Sequence, residues 1–88
     1  MLKDWMRKIA THKNLRGEDY RVLLFLLSNA DGSTVEISQT EIAQSLEFKQ
    51  SRVSRAIKRL TELKIISKKF IAGKLVGYRF LIEELNQV

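Results

Sequence analysis

Apolar side chains recur at the spacing of an α-helix in four stretches of the chain. The first stripe lies near the N-terminus, at positions i, i+3, i+4 and i+7, and consists of Leu2, Trp5, Met6 and Ile9. The second stretch, residues 15–30, is apolar nearly all round at residues 20–27. Acids at Glu18 and Asp19 suit the positive end of such a helix. This pattern predicts a central helix that is buried on most sides, Leu24 included.

Two further helices lie close together in residues 38–64. Ser38 and Glu41 form the Ser-x-x-Glu pattern of a capping box, which starts a helix of about two turns. The pattern breaks over residues 47–49 and resumes at Gln50. The apolar stripe of the last helix consists of Val53, Ala56, Ile57, Leu60 and Leu63. Two helices separated by so short a turn are typical of a helix-turn-helix unit.

Strand-like patterns flank this unit on both sides. Residues 34–37 alternate and are rich in β-branched side chains, which predicts a short strand. Residues 65–71 and 75–82 are β-like runs joined by a glycine-containing turn, which predicts a β-hairpin. Residues 83–88 are consistent either with one more helical turn or with a frayed end.

Together these elements predict a mainly α fold with a small β-hairpin, in which the hairpin is the wing of a winged helix-turn-helix. We expect one domain over residues 1–88. Its parts are an N-terminal helix (1–14), a core helix (15–30), the helix-turn-helix (38–64) and the wing (65–82).

Length and composition exclude several classes of protein. The 88 residues are 44% apolar and 30% charged, which is typical of one small globular domain. The absence of cysteine and the single histidine, His12, argue against disulfides, thiolate chemistry and the usual zinc sites. The sequence shows no membrane-spanning run, secretory signal, nucleophile–base pair or phosphate-binding glycine loop. We therefore expect a cytoplasmic, prokaryotic protein that is not an enzyme and has no cofactor, metal, small-molecule ligand or membrane partner.

The net charge of +6 is unevenly distributed along the chain. Residues 1–16 carry +4, residues 17–47 carry −5, residues 48–79 carry +9 and residues 80–88 carry −2. A basic block of this size indicates a partner with many phosphates, for which double-stranded DNA is the main candidate. A basic face that is merely solvated is the alternative.

The basic block supplies the candidate DNA-binding residues. A recognition helix reads base edges mainly with its N-terminal residues, which here are Gln50, Ser51, Arg52, Ser54 and Arg55. Lys58 and Arg59 lie further along and suit the phosphates beside the groove. The wing offers Lys68, Lys69 and Lys74, although lysines also protect exposed strand edges from aggregation.

Two apolar features have two interpretations each. The N-terminal stripe either closes one side of the core or forms a homodimer interface, which would bring two recognition helices to half-sites about one DNA turn apart. Phe70 and Ile71, near the tip of the hairpin, either pack on the core or meet a partner chain.

Residues 38–46, 51–60 and 63–66 resemble the winged helix-turn-helix superfamily of prokaryotic DNA-binding proteins. They are similar to MarR-like regulators and, more closely, to firmicute plasmid replication proteins of the RepL type, in which a segment like residues 15–24 precedes the unit. The resemblance covers residues 15–82. It implies sequence-specific binding of double-stranded DNA, by a transcription regulator or by a plasmid replication or copy-control factor.

The resemblance implies a base-reading role for Ser51, Arg52, Ser54 and Arg55. The chain departs from the family pattern at Glu47, where glycine is usual, and at Lys49, where serine or threonine usually caps the recognition helix. A later helix start, with Ser51 as the cap, is therefore an open alternative. A winged-helix module that binds another protein is the second function class. RNA binding ranks third because the aromatic side chains are better explained as core.

Overall fold

The structure is a computed structural model that describes residues 2–82. Its elements, in chain order, are α1 (Leu2–Ala10), α2 (Gly17–Ser28), β1 (Thr34–Val35), α3 (Gln39–Leu46), α4 (Gln50–Glu62), β2 (Ile66–Ile71) and β3 (Lys74–Phe80). This arrangement confirms the predicted mainly α fold with a β-hairpin, a winged helix-turn-helix. The prediction for residues 83–88 lies outside the described residues.

The core forms where α2 and α4 pack against each other and against the sheet. Val22 and Leu26 of α2 are fully buried, as are Val53 and Leu60 of α4. Helix α1 adds Trp5, whose ring meets the ring of Phe80 edge-on, with 6.2 Å between the centroids. The periodicity of α4 therefore predicted its buried face correctly.

The three strands form one antiparallel sheet in the order β1-β3-β2. Strands β2 and β3 pair from Ile66 opposite Phe80 to Ile71 opposite Lys74. The turn between them places Ala72 and Gly73 at φ values of 51° and 78°, as a two-residue hairpin turn requires. The predicted hairpin and the predicted short strand are both confirmed.

Strand β1 lies so close to β3 that one position between them has room only for glycine. A Cβ atom on the buried Gly77 would overlap the carbonyl oxygen of Val35 and lie 2.7 Å from the Cα of Glu36. The missing side chain therefore allows the third strand to join the hairpin.

The first helix of the helix-turn-helix begins as its sequence predicts. The backbone N–H of Glu41 donates to the Ser38 hydroxyl at 3.1 Å, and the N–H of Ser38 donates to Glu41 Oε1 at 3.4 Å. These reciprocal bonds complete the predicted capping box.

The turn accommodates both departures from the family pattern. Glu47 adopts a left-handed conformation with φ of 55°, which explains why glycine is favoured at this position. Lys49 is the extended residue before α4, and its side chain makes no capping hydrogen bond within residues 2–82. Helix α4 nevertheless begins at Gln50, so the alternative start with Ser51 as the cap is wrong.

Two expectations about buried residues need correction. Leu24 was expected in the core, yet 64% of it is exposed, because α2 is covered on one side only. The stripe of α1 is divided: Trp5 and Ile9 are buried, whereas Leu2 and Met6 are exposed. The stripe thus closes one side of the core and still leaves apolar surface.

The contrast between two leucines of α2 tests this division. Leu26→Ala removes a fully buried side chain and should lower the free energy of unfolding by about 2–5 kcal/mol. Leu24→Ala, on the exposed face, should change it by less than about 0.5 kcal/mol at protein concentrations where the chain is monomeric. Urea denaturation followed by the fluorescence of Trp5, the single tryptophan, measures both. Equal losses in the two variants would contradict the difference in burial between Leu26 and Leu24.

Candidate nucleic-acid interface

The outward face of α4 is a continuous polar surface opposite the buried stripe. Its exposed residues are Gln50, Ser51, Arg52, Ser54, Arg55 and Lys58. The first turn of α4 contains no acid. Arg55 and Lys58 have no ion-pair partner in the part of the chain that the structure describes. Their positive charges therefore remain available to an external anion.

Arg52 is held by other residues of the chain. Its Nε donates to Glu18 Oε2 at 3.1 Å, and its guanidinium lies 4.4 Å from the centre of the Phe48 ring. The guanidinium of Arg21 also lies over this ring, at 4.9 Å. Phe48, from the turn, is thus a common contact for cations from α2 and α4.

Arg59 forms the most buried ion pair among the described residues. Its Nη1 lies 2.9 Å from Asp19 Oδ1 and 3.0 Å from Oδ2. The Asp19 side chain is fully buried, and the Arg59 side chain is 25% exposed. Asp19 Oδ2 also accepts a hydrogen bond of 2.9 Å from the N–H of Arg16, at the start of α2. Arg59, expected beside a phosphate, is instead directed to a carboxylate of its own chain.

The Asp19–Arg59 pair is absent from the sequence-based predictions, although the sequence contains a signal for it. Asp19, Val22, Leu23 and Leu26 follow the i, i+3, i+4, i+7 spacing of the buried face of α2. An acid on such a face requires a buried partner, because an unpaired charge is costly to bury. Arg59, at the edge of the apolar stripe of α4, was the available cation.

Ser54 belongs to a hydrogen-bond chain that joins three elements. Its hydroxyl donates to Gln39 Oε1 at 2.6 Å, and Gln39 Nε2 donates to the hydroxyl of Tyr78 at 3.5 Å. Burial raises the pKa of the Tyr78 phenol, and the hydrogen bond from Gln39 has a smaller, opposite effect. The phenol is therefore neutral at physiological pH, and the chain connects the start of α3, the outward face of α4 and strand β3.

A shallow cleft of about 180 Å³ separates α4 from the wing. Ser54 and Lys58 of α4 line it together with Lys68 of β2. The structure thus brings a predicted wing lysine next to two predicted residues of the recognition helix. The two ammonium groups suit a phosphate oxygen.

The rest of the wing is basic and apolar. Lys69 Nζ lies 3.9 Å from Glu36 Oε1, so this predicted site residue faces a neighbouring acid. Lys74 is exposed beside the hairpin turn. Phe70 and Ile71 are 58% and 52% exposed. Packing on the core, one of their two interpretations, is therefore wrong.

Two other kinds of site would need a long apolar helix or a group of metal-binding side chains. Of the helices between residues 2 and 82, none combines the length and apolar character that a bilayer crossing requires. In the same range, histidine, aspartate and glutamate side chains form no group of three that could hold a metal ion.

Comparisons with known proteins agree with this architecture. A sequence profile of the MarR family matches residues 13–73. The fold is similar to that of the adhesin competence repressor AdcR from Streptococcus pyogenes, with a TM-score of 0.60 and 21% identity over 98% of this chain and 63% of that one. It is also similar to reduced, ligand-free CprK, with a TM-score of 0.50 and 22% identity over 98% of this chain and 44% of that one.

The chain therefore spans less than two thirds of either structure. At these identities, the two similarities concern the fold alone. A search of curated proteins found no match. The winged helix-turn-helix resemblance is confirmed, whereas the closer similarity to RepL-type replication proteins is not.

The buried ion pair can be tested by mutation. Asp19→Ala should lower the free energy of unfolding by about 3–5 kcal/mol, because it removes the partner of Arg59 and the cap of α2. Asp4→Ala, which removes an exposed ion pair 3.9 Å long, should cost less than about 1 kcal/mol. Urea denaturation measures both variants. The double variant Asp19→Ala/Arg59→Ala should lose less than the two single losses together, and strict additivity would contradict the coupling.

Proposed function

This chain belongs to the MarR family, and from that premise we propose that it is a transcription regulator that binds specific sequences of double-stranded DNA through α4 and the wing. The observation that carries the proposal is the outward face of α4. Its cations Arg55 and Lys58 are exposed and without an ion-pair partner among residues 2–82, while two other arginines tie the same helix to α2. A rigidly held helix with available cations suits insertion into the major groove.

We assign base reading to the first two turns of α4. Gln50, Ser51 and Arg55 are exposed there. Glutamine pairs bidentately with adenine, and arginine pairs with guanine. Arg52 and Ser54 lie on the same stretch but bond to Glu18 and Gln39, so we give them a positioning role first.

The other cations suit the phosphate backbone. Lys58 and Lys68 flank the cleft between α4 and the wing, and Lys74 lies beside the hairpin turn. Contacts of this kind orient a protein on DNA without reading its sequence. Arg59 and Lys69 are directed to Asp19 and Glu36, which favours a supporting role for both.

Binding alone would be sufficient for regulation, because the bound protein would keep other proteins away from the same site on the DNA. The same chemistry would serve at a promoter or at a plasmid replication origin. Selection of bound duplexes from a random pool, followed by mapping of the winning sequence, distinguishes these two uses.

Two variants separate base reading from phosphate contact. Arg55→Ala should weaken binding to the selected duplex by about 1–3 kcal/mol and relax the preference for one base. Lys74→Ala should weaken binding to all duplexes similarly and reduce the salt dependence of binding. Fluorescence anisotropy at several salt concentrations measures both effects.

The wild-type protein should prefer its selected duplex over random sequence at least about tenfold and bind more weakly as salt is added. Absent or salt-insensitive binding would overturn the proposal in favour of a protein-binding module. Equal, sequence-independent losses in both variants would contradict the assigned roles.

We also propose that two copies associate through α1 and α2. Leu2, Met6 and Leu24 are exposed by 53%, 54% and 64%. A groove of about 180 Å³ between the two helices is lined almost entirely by apolar side chains, Met6 and Leu24 among them. Covering this surface with a second copy would remove it from water, and a twofold pair presents two recognition helices to a palindromic site.

Charge placed on this surface tests the association. Met6→Glu and Leu24→Glu should each weaken self-association at least about tenfold, because burying an unpaired carboxylate is costly. Gln44→Glu, on the exposed side of α3, is the matched control and should have no effect. Sedimentation velocity over a range of concentrations measures all three. A wild-type protein that stays monomeric when bound to its selected duplex would contradict the proposal.

A further inference from the structure

The free end of the wing carries an exposed apolar group. This wing-tip cluster consists of Phe70, Ile71 and Leu75, which are 58%, 52% and 43% exposed. Single exposed apolar residues are common on protein surfaces, but three together at the end of a hairpin mark a surface that another molecule covers.

The sheet register indicates the face of the sheet on which Phe70 lies. Phe70 lies directly opposite Leu75. The register shifts between Lys69 and Phe70, with the extra residue on β3, so β2 itself keeps its alternation and Lys68 and Phe70 lie on one face of the sheet. Ile66, on this same face, is buried in the core, while Lys68 lines the cleft beside α4. Phe70 thus continues, beyond the core, the sheet face that the recognition helix packs beside.

The surroundings of the cluster indicate the chemistry of its occupant. Lys68 and Lys74 lie beside it along the strands, and neither has an ion-pair partner among residues 2–82. An apolar group between cations suits a groove that is bordered by two rows of phosphates and in which a base step can open to expose its apolar faces. In the minor groove of DNA, inserted apolar side chains partly unstack base steps in this way.

We propose that Phe70, supported by Leu75, acts as a wedge that enters the minor groove beside the α4 site, partly unstacks one base step and bends the duplex. This inference rests on the proposed DNA-binding function. The substrate class it names is a duplex with an easily unstacked pyrimidine–purine step, TA or CA/TG, under the wing. The protein would then select bases there through the deformability of the DNA, without hydrogen bonds to them.

The bend and the unstacking can be measured separately. Energy transfer between dyes at the two ends of the selected duplex reports the bend. The fluorescence of 2-aminopurine placed at the step under the wing reports unstacking. The wild-type protein should bend the duplex by roughly 20–90° and raise the 2-aminopurine signal.

Variants at one position then isolate the wedge. Phe70→Ser should abolish most of the bend and of the 2-aminopurine signal while keeping the salt dependence of binding, because no charge is removed. Phe70→Leu keeps an apolar wedge and should retain most of both signals. Gln44→Ser, at an exposed position of α3 outside the proposed DNA and self-association surfaces, is the control and should bend DNA like the wild type.

The outcomes separate the wedge from the proposed function. A wild-type complex with a straight duplex and an unchanged 2-aminopurine signal would overturn the wedge and leave DNA binding intact. So would Phe70→Ser bending DNA as strongly as the wild type. A wild-type protein that binds no duplex would overturn both. Phe70-dependent binding to anionic phospholipid vesicles, with DNA left straight, would assign the cluster to a membrane surface instead.

Discussion

The carboxylate of Asp19 is the constraint on which the placement of α4 depends. It is fully buried, and it accepts hydrogen bonds from the start of its own helix and from Arg59 of α4. A buried charge of this kind is tolerated only while its partners stay in place. The beginning of α2 and the last turn of α4 are therefore held at a fixed distance from each other. Glu18 and Phe48 add a second attachment, through Arg52, about two turns earlier on α4.

These ion pairs explain part of the uneven distribution of charge along the chain. The acidic block of residues 17–47 is not simply set apart from the basic block of residues 48–79. Two of its acids, Glu18 and Asp19, pair with two arginines of α4, Arg52 and Arg59. The cations that remain available are the ones that point outward, such as Arg55 and Lys58. Some cations of the basic block thus stabilise the fold through ion pairs, and the others are available to bind phosphates.

The elements were predictable where local patterns determine them. The capping box at Ser38, the stripe of α4 and the hairpin turn at Gly73 depend on neighbours within a few residues. The roles of Leu24 and Arg59 depend on which face of a helix another element covers. An all-apolar helix such as α2 does not reveal its uncovered side, and a basic helix does not reveal which cation pairs inward. The region of the candidate site was therefore predictable from the sequence. Which of its arginines pair with acids of the chain, and which stay available, depends on tertiary contacts that the sequence does not show.

The short hydrogen bond from Ser54 to Gln39 restricts which bases Ser54 could read in the proposed DNA complex. A hydroxyl has one proton, and Ser54 already gives that proton to the Gln39 side chain. While this bond persists, Ser54 meets an incoming base only through its oxygen lone pairs. Its complements in the major groove are then the amino groups of adenine and cytosine. Gln39 of α3 thus leaves the Ser54 hydroxyl of α4 as a hydrogen-bond acceptor only. In the proposed complex, this limits the bases that the hydroxyl could recognise to adenine and cytosine.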